Sequence, residues 1–98
     1  MNTLDAVKSV TLSTEDKVFQ VDYFLTSGLC QTDGSEQVMT FGILTKLSID
    51  GKITEISRVE DVTASEETAQ LLIEMLAKNG VTPVSVKDVI EDFVAMQL

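Results

Sequence analysis

The chain is predicted to be an α+β domain, an antiparallel β-meander of three to four strands followed by two C-terminal α-helices packed on one face of the sheet. Three observations predict it. Apolar residues alternate with a period of two through the first two thirds, an Asp50-Gly51 pair interrupts that alternation, and two amphipathic stretches with their own start and stop signals occupy the last third. The 98 residues are read as a single domain, 1–98.

The N-terminal piece carries Leu4, Val7, Val10 and Leu12 ahead of a turn-like Ser13-Thr14-Glu15-Asp16, so residues 1–16 are expected as a weak strand or a partly disordered lead. Phe19, Val21, Tyr23 and Leu25 then alternate with Gln20 and Asp22, the pattern of a half-buried strand. Ser27 to Glu36, with two glycines among polar residues, reads as a linker. After it, Met39, Phe41, Ile43, Leu47 and Ile49 form a second alternating run, which Asp50-Gly51 turns back into Ile53, Thr54, Ile56 and Val59. Two registers fit this hairpin. A two-residue turn places Lys46 opposite Glu55. A bulge at Gly51 places Leu47 opposite Ile53 and Phe41 opposite Val59, and is preferred because it groups more apolar residues.

The first helix is expected over Thr63 to Asn79, opened by a capping-box spacing between Thr63 and Glu66 and closed by Gly80. Ala69, Leu72, Ile73 and Leu76 supply its buried stripe, widened by Leu71 and Met75. The second is expected over Ser85 to Met96, with Ser85 and Asp88 capping, Val84 stapled onto Val89, and Pro83 holding the connector extended. Val86, Val89, Ile90 and Phe93 form its stripe. A short connector from Gly80 to Val84 makes the helices neighbours.

Composition narrows the chemistry. The net charge of −9 repels phosphate backbones and anionic membranes, so neither nucleic acid nor membrane is an expected partner. The second helix offers only Lys87 against its acids, too little for a helix that reads a duplex. No apolar run approaches a membrane span and no basic-then-apolar leader opens the sequence; with a single cysteine, the expected location is cytoplasmic. There is no histidine, which excludes Ser-His-Asp and Cys-His nucleophile activation and histidine-bound metals. The glycines are scattered, without a phosphate-cradling pattern. Glu66 and Glu67 are explained by the helix macrodipole, Glu60-Asp61 lacks the spacing of a calcium loop, and Glu91 and Asp92 read as solubilising residues or a contact for a basic partner. No catalytic residue, metal site or cofactor is therefore assigned.

The blocks Phe41-Gly42-Ile43, Arg58-Val59-Glu60-Asp61-Val62-Thr63, Val81-Thr82-Pro83-Val84 and Asp88-Val89-Ile90-Glu91-Asp92-Phe93 resemble, in order and spacing, a family of small proteins built on a domain of unknown function from Gram-positive, clostridial-type bacteria. The N-terminal part is less similar. The chain departs from the family pattern at Ser85-Val86, where a histidine and a leucine are expected after the proline. The resemblance implies no activity, and the matching residues have structural explanations in the caps, the connector and the apolar stripe.

One feature points toward function. If Phe19, Val21, Tyr23, Leu25, Phe41, Ile43 and Leu47 face the helices, then Val18, Phe24, Val38 and Leu44 point the other way, and two helices cannot cover both faces of a four-stranded sheet. The expected function is a non-enzymatic interaction or regulatory protein that meets another chain, a homodimer partner or an unidentified protein, through a sheet face or edge. The alternative is a small-ligand binder or enzyme using carboxylates, Tyr23 or Cys30 in a cleft between sheet and helices.

Overall fold

The computed structural model describes residues 6–31 and 37–96. Four strands, β1 (Ala6–Ser13), β2 (Val18–Gln31), β3 (Gln37–Ile49) and β4 (Lys52–Thr63), form one antiparallel sheet in sequence order, followed by α1 (Glu66–Lys78) and α2 (Pro83–Met96). Val21, Tyr23, Ile43 and Leu47 from the central strands pack in one cluster with Leu72, Ile73 and Leu76 of α1 and Val86 and Ile90 of α2. Both helices thus lie on the same face, as the alternation predicts. Phe19, Leu25 and Val59 border the cluster from that face.

The β2–β3 ladder pairs without a slip from Phe19 opposite Ile49 to Gln31 opposite Gln37. The stretch read as a linker is therefore strand as far as Gln31: Gly28 lies opposite Thr40 and Leu29 opposite Met39, while residues 32–36 lie outside the described residues. Gly28 does not break the strand, because a full-length partner satisfies its backbone. In β1 a slip falls between Ala6 and Lys8, and beyond it Val10 pairs with Val21 and Leu12 with Phe19. The expected strand residue Leu4 lies outside the described residues.

The β3–β4 hairpin differs from both expected registers. Asp50 and Gly51 form a two-residue turn, each with positive φ (51° and 85°), which pairs Ile49 with Lys52 and Ser48 with Ile53. A slip at Thr54 then sets Leu47 opposite Glu55 and Lys46 opposite Ile56. The bulge falls two pairs beyond the turn, because the turn itself is tight and the ladder has to regain its facing later. A second irregularity separates Ile43–Val59 from Phe41–Thr63, where Gly42 faces Glu60, Asp61 and Val62. Asp61 adopts φ 53°, and a Cβ on Gly42 would sit 2.3 Å from the Val59 carbonyl oxygen, so only glycine fits there.

The helix starts are also displaced from expectation. Thr63 remains in β4, opposite Phe41, and Ser65 is the N-cap of α1: its hydroxyl accepts from the Thr68 amide at 3.1 Å. The Thr63 hydroxyl accepts instead from the Ser65 amide. At the other end Gly80 (φ 60°) donates to Ala77 and Val81 to Leu76, a Schellman closure that stops α1 as predicted. α2 begins two residues early. Pro83 is its first residue and is buried, since a missing amide and a fixed φ cost nothing in the first turn. Ser85 is thus inside the helix, its amide bonded to the Thr82 carbonyl, and Val84 is exposed rather than stapled to Val89.

Candidate interaction surface

The face turned away from the helices is built from alternate residues of all four strands. Its centre is the directly opposed pair Phe24 and Leu44, both half-buried. Beside them β4 contributes Ile56, opposite Lys46, and Ile53, opposite Ser48, both more than half exposed. Among the described residues no element packs over this surface. The expected residues Val18, Phe24, Val38 and Leu44 do share it, but not as one patch. Val18 starts β2 and Val38 lies opposite Cys30 near the far end, so about 40 Å of strand separates them. Phe24 and Leu44 are the continuous pair, and Ile53 and Ile56 join them. The preferred register hides Ile53, which it sets opposite Leu47 on the helix side, because a one-residue slip carries a strand segment to the other face; Ile56, which it sets opposite Leu44, stays on this face.

Polar groups frame the apolar centre. Asp22 accepts from the Ser9 hydroxyl at 2.6 Å and from the Gln20 amide at 2.9 Å, and the Lys46 ammonium lies 5.2 Å from the centre of the Phe24 ring. Arg58 and Glu60 form an exposed ion pair at 3.7 Å. At the Gly42 irregularity, Thr40 donates to Asp61 in a hollow of about 160 Å³ that also includes Thr26, Gly28, Arg58 and Glu60. The Asp61 carboxylate there is held by Thr40, and Glu60 pairs with Arg58.

The residues proposed for cleft chemistry are not brought together. Tyr23 is fully buried; its hydroxyl donates to the Val81 carbonyl at 2.6 Å, with the Leu76 carbonyl at 3.3 Å, and burial pushes its pKa up to about 12. It ties β2 to the end of α1 and to the connector, and is not presented to a ligand. Cys30 lies in β2 opposite Val38 rather than in a loop. Glu66, Glu67, Glu91 and Asp92 are all exposed on the helices, and among the described residues no group of three acidic or thiol side chains could hold a metal ion. No described helix is long and apolar enough to cross a membrane.

On the helix side a groove of about 510 Å³ runs between β1 and the end of α1, lined by Val10, Leu12, Phe19, Val21, Leu47 and Ala77 and rimmed by Lys78, Asn79 and Thr82. It opens at the β1 edge. Leu12, 64% exposed, stands at its mouth. Alternation alone predicted the apolar strand residues; the gap arises because α1 stops at Gly80 before fully covering β1.

The model of a family of unknown function, DUF6514, matches residues 1–96, and the chain belongs to that family. No curated protein and no solved structure matches it.

Proposed function

We propose that this member of the DUF6514 family is a small non-enzymatic interaction or regulatory protein of the cytoplasm of Gram-positive, clostridial-type bacteria, acting by docking another protein chain on its sheet. The observation that carries the reading is the one-sided sheet: Phe24, Leu44, Ile53 and Ile56 form an apolar surface that the described chain leaves open. Its surroundings suit a protein partner, with an apolar centre inside a polar rim that includes Asp22, Lys46 and Arg58. In support, the one tyrosine and the bulge-site carboxylate Asp61 are occupied in structural bonds.

The test compares baits. The purified chain and its Phe24→Asp and Leu44→Asp variants are used to capture protein from the source cells, with circular dichroism confirming that all three are folded. The reading expects one stoichiometric partner, held by the parent chain and lost by both variants. No partner, or one retained equally by all three baits, contradicts it.

The alternative, a small-ligand binder, is favoured by the apolar groove at β1. Tyr23 is not among the groove's lining residues, and its polar groups stand at the rim. Titration with a series of apolar ligands that saturates at one site, and is abolished by Val10→Trp, would support this reading.

A further inference from the structure

The two edges of the sheet are built differently. The outer edge of β4 is broken at Thr54 and again at Glu60–Val62, and carries Glu55, Arg58, Glu60 and Asp61, the bulges and charges that discourage another strand from adding. In β1 the slip lies at Val7, and from Ser9 to Ser13 the strand is regular, uncharged and free of glycine and proline. Nothing on that stretch opposes pairing.

Its sequence is also close to self-complementary. Read antiparallel against itself about Thr11, Ser9-Val10-Thr11-Leu12-Ser13 sets serine against serine, Val10 against Leu12, and Thr11 against Thr11. Each apolar residue then meets an apolar one on the helix side, and each hydroxyl meets a hydroxyl on the reverse side. Shifting the centre to Val10 would set Lys8 against Leu12, and shifting it to Leu12 would set Val10 against Thr14. The centred register also places Lys8 of one chain beside the Glu15-Asp16 turn of the other, so charges at the two ends of the pairing are complementary despite a net charge of −9 per chain.

We infer that a second copy of this chain pairs with the β1 edge about a twofold axis through Thr11, giving a continuous eight-stranded sheet. Rotation about an axis perpendicular to the sheet keeps all the helices on one side and brings the two β1 grooves face to face. The exposed Leu12 of each copy then lies against Val10 of the other and closes the groove mouth. The two reverse faces become one platform. The inference rests on the reading that the sheet meets another chain, and names the edge and the partner for self-association.

Light scattering, with cysteine cross-linking at two exposed β1 positions, tests it. The chain should have about twice its 10.7 kDa mass at tens of micromolar. Thr11→Lys, which sets like charges against each other across the axis, should return it to the single-chain mass with an unchanged circular dichroism spectrum. In a Cys30→Ser background, Thr11→Cys should oxidise to a covalent dimer, because directly opposed residues lie within disulfide reach, about 4.5–5.5 Å between Cα atoms. Ser13→Cys should not, since the same register holds the two copies of that position about 13 Å apart. A single-chain mass for the parent overturns the inference and leaves docking of a different protein on the reverse face intact. A dimer that survives Thr11→Lys but is split by Leu44→Asp also overturns it, and supports self-association through the face. Equal cross-linking at both cysteine positions overturns the register.

Discussion

On the helix side of the β2–β3 ladder, Tyr23 and Ile43 have no exposed surface; one residue further along each strand, Phe24 and Leu44 are only half-buried, and Ile56 beside them is 60% exposed. Both faces carry large apolar side chains at the centre. What separates them is that α1 and α2 deliver Leu72, Ile73, Leu76, Val86 and Ile90 to one face, while no described element reaches the other. Alternation in a strand tells which residues share a face; it does not tell which face is covered. That is decided by where the helices start and stop.

If the faces differ in this way, matched substitutions should have unequal effects. The largest is expected for Leu76→Ala, which removes a fully buried side chain from the helix layer and should lower unfolding stability by about 3 kcal/mol in urea titrations. Tyr23→Phe leaves the ring in place but removes the bond to Val81, and should cost about 1–1.5 kcal/mol.

Tyr23 also gives a pH signature. Its folded pKa, about 12, lies above the ordinary value of 10.0, so its contribution is complete below pH 10 and is lost as pH rises toward 12, where the unfolded chain ionises and the folded one resists. As the only tyrosine, it can be followed by tyrosinate absorbance, and Tyr23→Phe should remove this component of alkaline unfolding.

Thr45→Val should act in the opposite direction. The Thr45 hydroxyl is buried on the helix side with no hydrogen-bond partner among the described residues, so the substitution should raise stability by about 1 kcal/mol. The smallest effect is expected for Ile56→Ala on the reverse face, within about 0.5 kcal/mol in the dilute single chain. A loss for Ile56→Ala comparable to that for Leu76→Ala would erase the difference between the faces.

Much of this arrangement was legible in the sequence, for local reasons. The stripe Ala69, Leu72, Ile73 and Leu76 is the buried face of α1, Gly80 stops it, and Asp50-Gly51 turns the hairpin. The errors came where two local solutions compete or where a distant partner decides. Thr63 and Ser65 both offer a capping hydroxyl, and the β4 ladder holds the first, leaving the second to cap. Pro83 suits a connector or a first helical turn, and burial against the core selects the turn. Gly28 resembles a linker residue until β3 proves long enough to pair with it. The bulge at Thr54 accommodates sheet geometry and leaves no short motif, so the preferred hairpin register puts Ile53 on the helix side, while Ile56 keeps the reverse face in that register and in the structure alike. Phe24 and Leu44 were found by parity alone because their ladder has no slip.

The most direct test of a one-sided sheet is thiol labelling of the folded single chain at high dilution, comparing Thr45→Cys with Ile56→Cys in a Cys30→Ser background. The two positions lie on adjacent strands and face opposite ways. The thiol at position 56 should react at nearly its unfolded-state rate while the thiol at position 45 is protected by orders of magnitude. Comparable protection at both positions would mean that the chain covers its own reverse face, and would contradict the account.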